Sequence, residues 1–174
     1  DSENENSTKK TARVVGYLST DNFDKMTSIQ FCKLTHLNVA FANPDKNGNL
    51  IFSGDIDAVT KYVKSVNPKL VISISLAGGV ISEEQATNWS SLIDKPENRP
   101  AFIQNILKFV ADHNLDGVDV DLEWDAVTSG YSGFVVELKN YFLILILLFL
   151  LINSHNLYCA WSEIYLPNFQ FRFE

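Results

Sequence analysis

The chain has 174 residues, enough for one domain with a real core. Its 46% apolar and 20% charged residues match an ordinary folded domain. The net charge of −7 argues against nucleic acid or an anionic membrane as partner, because phosphate binding requires clustered Lys and Arg.

Residues 1–11 are polar and are expected to be disordered. Ala12 to Leu18 is a Val-rich apolar run and reads as a first strand. Asp24 to Leu34, with Met26, Ile29 and Cys32 apolar, reads as a short helix in which Cys32 is a buried free thiol. The second cysteine, Cys159, shares no metal-site spacing with Cys32, and a single bridge between the two stays open. His36 to Ala42 is a second strand, followed by the turn Asp45-Lys46-Asn47-Gly48. Asp55 to Val66 places Ile56, Val59, Tyr62, Val63 and Val66 on one helical face, with Asp55 as cap. Leu70 to Leu76 is a near-continuous apolar run, the pattern of a strand buried on both faces, and it leads into Ala77-Gly78-Gly79. Asn98-Arg99-Pro100 opens a helix carrying Phe102, Ile103, Ile106, Phe109 and Val110. Leu115 to Trp124 is a fourth strand, and Phe134 to Lys139 starts the helix after it. Strands alternating with helices predict a parallel sheet in an α/β fold, either an open doubly wound sheet or a portion of a barrel. Tyr141 to Ile152 is an unbroken apolar run, too short to span a membrane, which takes roughly 20 residues. The chain starts at Asp1 rather than Met and carries two N-glycosylation triplets, at Asn6 and Asn88, which point to a secreted protein.

Chemistry concentrates on the fourth strand. Alternation puts Asp119, Asp121 and Glu123 on one face and Val118, Val120 and Leu122 on the other. Carboxylates two residues apart on a strand lie about 6–7 Å from each other. Buried at that spacing they repel, so at least one is expected to hold a proton near neutral pH, as a general acid requires. Glu123 sits at the C-terminal end, where parallel α/β folds bind ligands, and Asp119 lies deepest. A calcium-binding EF-hand loop fails, because positions six and twelve counted from Asp119 are Trp124 and Gly130. A solvated acidic face and a divalent-metal site completed from elsewhere stay open.

Asp116-Gly117-Val118-Asp119-Val120-Asp121-Leu122-Glu123 resembles the D-G-x-D-x-D-x-E signature of glycoside hydrolase family 18, the chitinase-type enzymes, at every fixed position. Val14-Val15-Gly16-Tyr17, Asn38-Val39-Ala40-Phe41-Ala42 and Lys69 to Gly79 resemble that family's first three strands, with one departure. Ser75 is followed by two residues before the glycine pair, where the family has one. The resemblance covers residues 12–140 and implies a truncated (β/α)8 TIM barrel, about the first four βα units. It also implies cleavage of β-1,4-linked N-acetylglucosamine, in chitin or a related glycan, by a substrate-assisted retaining mechanism. In that scheme Glu123 is the acid and then the base. Asp121 orients the substrate's acetamido group, and Asp119 shares a proton with Asp121. Tyr17, Phe41, Gly78 and Trp124 line the sugar subsites, with ordinary packing as the competing reading for the aromatic residues. Neither a metal ion nor a cofactor is called for.

A full barrel takes about 250 residues. Residues 141–174 lose the family pattern and read as an aberrant tail, either translated non-coding sequence or a cover for an exposed sheet in a short variant. Three functional classes follow: a glycosidase, a non-catalytic chitin-binding lectin, and a non-functional truncated product. A half-barrel with exposed edges is also expected to self-associate.

Overall fold

The predicted alternation is realised as a four-stranded parallel sheet flanked by helices. The computed structural model describes the backbone of residues 12–154 and the side chains of residues 12–145. The expected disorder of residues 1–11, the Asn6 triplet, Cys159 with its bridge, and residues 155–174 lie outside the described residues.

The parallel strands are β1 (Val15–Ser19), β2 (His36–Pro44), β4 (Val71–Gly78) and β5 (Gly117–Leu122), in that spatial order. The short strand β3 (Leu50–Ile51) pairs antiparallel with the end of β2. Register decides which side chains share a face. Tyr17, Asn38, Ser73 and Gly117 form one row, and Ser19, Ala40, Ser75 and Asp119 form the next row towards the C-terminal ends. This face is small and polar. The other face carries Leu18, Leu37, Val39, Ile72, Ile74, Leu76, Val118, Val120 and Leu122, all buried. The helices pack on that apolar side, so the polar side is left for chemistry.

Helix α1 (Ile56–Val66) starts where expected, with Asp55 Oδ1 accepting from Ala58 N at 2.9 Å. It buries Ile56, Val59 and Val63. Helix α2 (Glu83–Ile93) was not anticipated from the sequence. Its N-terminus is closed by a reciprocal pair in which Ser82 Oγ accepts from Gln85 N and Gln85 Oε1 accepts from Ser82 N. Helix α3 (Arg99–Asp112) carries Pro in its first turn as predicted, but Asn98 does not cap it through its side chain. Asn98 Nδ2 donates instead to Ser91 O at 2.8 Å, tying α3 back to α2. Helix α4 (Tyr131–Ser154) continues without interruption past residue 141, where the composition changes. Trp89, Phe102 and Phe134 join α2, α3 and α4 in a triangle with centroids 5.4–6.1 Å apart. Each such contact adds about 0.5–1.5 kcal/mol beyond area burial. Among the described residues no helix is long and apolar enough to cross a membrane.

Two local expectations are corrected. Residues 24–34 form no α-helix but two 3₁₀ segments, Thr20–Ser28 and Phe31–Lys33. The break falls at Ile29, whose backbone is extended (φ −80°, ψ 134°), so Met26, Ile29 and Cys32 share no helical face. Phe31, not Cys32, then faces the core, and Cys32 is an exposed free thiol. Asn88 is 8% exposed and donates Nδ2 to Pro44 O at 3.1 Å, so it is no glycan acceptor in the folded chain.

Candidate active site

Three carboxylates ascend one face of β5, and their exposure rises with height. Asp119 is 4% exposed, Asp121 is half-buried, and Glu123 is exposed just beyond the strand. Glu123 keeps an extended backbone (φ −124°, ψ 159°), so the alternation of the strand carries on through it. The structure therefore brings Asp119, Asp121 and Glu123 together as the period-two pattern predicts.

Asp119 is held from two other strands, the adjacent β4 and the more distant β1. Tyr17 Oη donates to its Oδ2 at 2.9 Å from β1, and Ser75 Oγ donates to the same oxygen at 2.7 Å from β4. A buried carboxylate requires such donors, since an unpaired charge there would cost several kcal/mol. Tyr17 responds to this arrangement. Burial raises its phenol pKa above 10.0, an Asn38 hydrogen bond works against that, and the negative charge of Asp119 adds to the rise. Tyr17 is thus kept as a donor. Asp116, the first residue of the acidic run, sits at the opposite end. Its Oδ2 accepts from Lys64 Nζ at 2.7 Å and from Ile72 N at 2.8 Å, fastening β5 to α1 and β4.

Around the upper carboxylates lies an open depression of about 280 Å³, lined by Val120, Asp121, Leu122, Glu123 and Trp124. Trp124 is 77% exposed and adopts φ 44°, an uncommon conformation for a bulky residue. Gly78 ends β4 at φ 82°, and the ring of Phe41 lies so close that a Cβ there would come within 2.8 Å of it. Glycine is required at that position on both counts. Phe41 falls outside the ladder, at a register shift between Ala40 and Ala42, and is partly exposed. The neighbouring Gly79 makes room for the acid: a Cβ on it would stand 3.1 Å from Glu123 Oε2. Of the seven residues singled out from the sequence, Phe41, Gly78, Asp121, Glu123 and Trp124 lie towards or just beyond the C-terminal ends of β2, β4 and β5, while Asp119 lies lower on β5 and Tyr17, midway along β1, reaches the site through it.

Three neighbours escaped the sequence reading. Ser75 follows from register, which a single strand does not reveal. Tyr131, the first residue of α4, feels the charge of Asp121: burial first, then that charge, raises its pKa above 10.0. Asp94, at the end of α2, binds the loop that follows Glu123. Locating α2 from the sequence required reading Ser82-Glu83-Glu84-Gln85 as a capping box.

Comparison with known proteins places these observations. Residues 13–152 match the sequence family Glycosyl hydrolases family 18. The chitinase ChiB from the chitin utilization locus of Flavobacterium johnsoniae is similar in structure, with TM-score 0.74 and 85% identity over 75% of this chain and 42% of that one. Chitinase B of Serratia marcescens is 27% identical over 148 residues, covering 74% of this chain and 29% of the relative. Human YKL-39, described as a pseudo-chitinase with retained chitooligosaccharide binding properties, shares the fold at TM-score 0.64 and 23% identity, over 76% of this chain and 39% of that one. The chain spans less than half the length of each. Its parallel strands and alternating helices match the corresponding part of the family's TIM barrel. The match over residues 13–152 takes in every strand of the sheet and the acidic run of β5, and the chain belongs to glycosyl hydrolase family 18.

Proposed function

We propose that this chain carries the acid side of a chitinase-type active site, one that cleaves β-1,4-linked N-acetylglucosamine with help from the substrate's own acetamido group. The observation supporting this reading is the graded burial of Asp119, Asp121 and Glu123 on one strand face, with the deepest fixed by Tyr17 and Ser75. Glu123, exposed at the mouth, donates its proton to the glycosidic oxygen as the C1–O bond breaks. The acetamido carbonyl oxygen bonds to C1 in the same step. Asp121, roughly 6–7 Å lower on the strand, accepts from the acetamido N–H and steadies the positive charge. Asp119 sets the proton balance of Asp121 beneath it. Water then attacks C1 and yields its proton to Glu123, so configuration is retained overall. Tyr17, Phe41, Gly78 and Trp124 shape the sugar subsites.

The test is turnover of 4-methylumbelliferyl chitotrioside by the parent chain beside Glu123→Gln. Loss of a general acid is expected to lower the rate about 10²–10⁴-fold. Undiminished release from the variant would sink the role of Glu123. A second reading, a chitooligosaccharide-binding lectin without turnover, is favoured by the exposed Trp124 indole, a flat surface for a sugar ring. Saturable binding of chitotriose with no release from either protein would select it. An extracellular location and self-association belong to the same proposal. Among the described residues β1 pairs only with β2 and β5 only with β4, and sedimentation would read any pairing of copies.

A further inference from the structure

The chain meets the Glu123 segment on both sides of helix α2, just after β4 and at the end of the helix. On its N-terminal side, Gly79 leaves the space occupied by the Glu123 carboxylate. On its C-terminal side, Asp94 Oδ1 accepts from Thr128 Oγ1, from Ser129 Oγ at 3.2 Å and from Gly130 N at 2.7 Å. Between these points the chain turns tightly. Ala126 N donates to Glu123 O and Val127 N donates to Trp124 O, both at 3.0 Å, and Ala126 is fully buried. Gly130 rests against the α2 backbone so closely that a Cβ would come within 1.9 Å of Ile93 O. The platform under Asp94 is itself braced. Arg99 Nε donates to Ile93 O at 2.6 Å, and Arg99 Nη1 reaches Glu137 Oε1 on α4 at 2.9 Å. The segment from Glu123 to Gly130 is therefore held at its start, its middle and its end.

We propose that Asp94 is a positioning residue, which fixes the Glu123–Trp124 segment at the mouth of the site by clamping residues 128–130 to the end of α2. The proposal rests on the reading of Glu123 as the acid, which Asp94 serves without touching substrate. The Thr128 hydrogen bond first, then those from Gly130 and Ser129, hold the Asp94 carboxyl below the ordinary 3.8, so it remains an anionic acceptor in mildly acidic solution. A misplacement of about 1 Å at a reacting group costs on the order of 10²-fold in rate, so a slack loop would show in catalysis.

The experiment compares the full chain with Asp94→Ala, Asp94→Asn and Asp45→Ala. Asp45 accepts a similar set of hydrogen bonds, from Asn47 N, Asn49 N and Asn49 Nδ2, all within its own turn and none from residues 123–130, and serves as the control for a purely structural carboxylate. Hydrogen exchange at Ala126 and Val127 is read first. It is expected to speed up about tenfold or more in Asp94→Ala and to stay unchanged in Asp45→Ala. With 4-methylumbelliferyl chitotrioside, kcat is expected to fall about tenfold or more in Asp94→Ala while KM holds. Asp94→Asn, which keeps an oxygen acceptor, restores most of the rate. Unchanged exchange in Asp94→Ala overturns the clamp. Faster exchange with an unchanged kcat in an active chain overturns the positioning role. Turnover persisting in Glu123→Gln instead marks the failure of the acid assignment, and the exchange data then judge the clamp separately.

Discussion

Asp119 shows how one carboxylate organises the residues around it. It is buried, and its two named donors, Tyr17 and Ser75, come from strands on either side of β2. Removing one donor leaves the charge less well satisfied than a neutral group would be, because hydrogen bonds to ions are worth about 1.5–3 kcal/mol. Ser75→Ala is therefore expected to destabilise by about 2 kcal/mol, read as a fall in the urea midpoint with an unchanged slope. The same substitution made together with Asp119→Asn should cost less than the sum, since the charge that needed the serine is gone. A midpoint unmoved by Ser75→Ala would mean that Tyr17 alone satisfies Asp119.

Helix α2 and the loop after β5 are stabilised by close backbone approach as much as by side chains. Gly130→Ala is expected to cost about 3 kcal/mol, the upper part of the range for an overpacked site. The new Cβ meets a backbone carbonyl that is already held by Arg99. A thermal melt checks this, and an unshifted midpoint would show that the loop yields freely. At this scale the sequence was uneven to read. The parallel strands were legible because each is a short apolar run, near-continuous where both faces are buried as in β4, set off by turns or helical periodicity. The order Asp119, Asp121, Glu123 was legible because a strand has period two. Helix α2 was not, since its inward face includes Asn88 beside Trp89 and lacks an unbroken apolar stripe. Cys32 lies outside the core because the chain there forms a short 3₁₀ turn rather than an α-helix, and that turn points Phe31 inward instead. Ser75, Asp94 and Tyr131 reach the site only through pairings remote in sequence, which no local pattern encodes.

Across the described residues, a histidine and two carboxylates tie stability to pH. His36 is buried on the polar face of the sheet, with Nδ1 2.8 Å from Thr35 Oγ1 and Nε2 unpartnered among the described residues. Burial, then the charge of Arg13, holds its pKa below 6.5. The unfolded chain thus takes up the proton more readily than the folded one. The stability due to neutral His36 is complete above about pH 6.5 and is lost as pH falls through the lower folded value. Asp94 and Asp45 are also depressed, from 3.8, so their contributions persist to lower pH and are lost as pH falls through their own folded values. Urea midpoints followed against pH are expected to fall in two stages, the first vanishing in His36→Asn. A first stage that survives in that variant would assign it to another group.

The buried Asn88 side chain has a consequence for how the chain is produced. The nitrogen that would carry a sugar is the same atom that donates to Pro44 O beneath α2. In a host that modifies Asn-x-Ser triplets during synthesis, attachment and folding compete for that atom. Once α2 has docked, the triplet is closed to the transferase. A chain modified earlier carries a bulky polar group where the helix must seat, and it is left for the cell's quality control to remove.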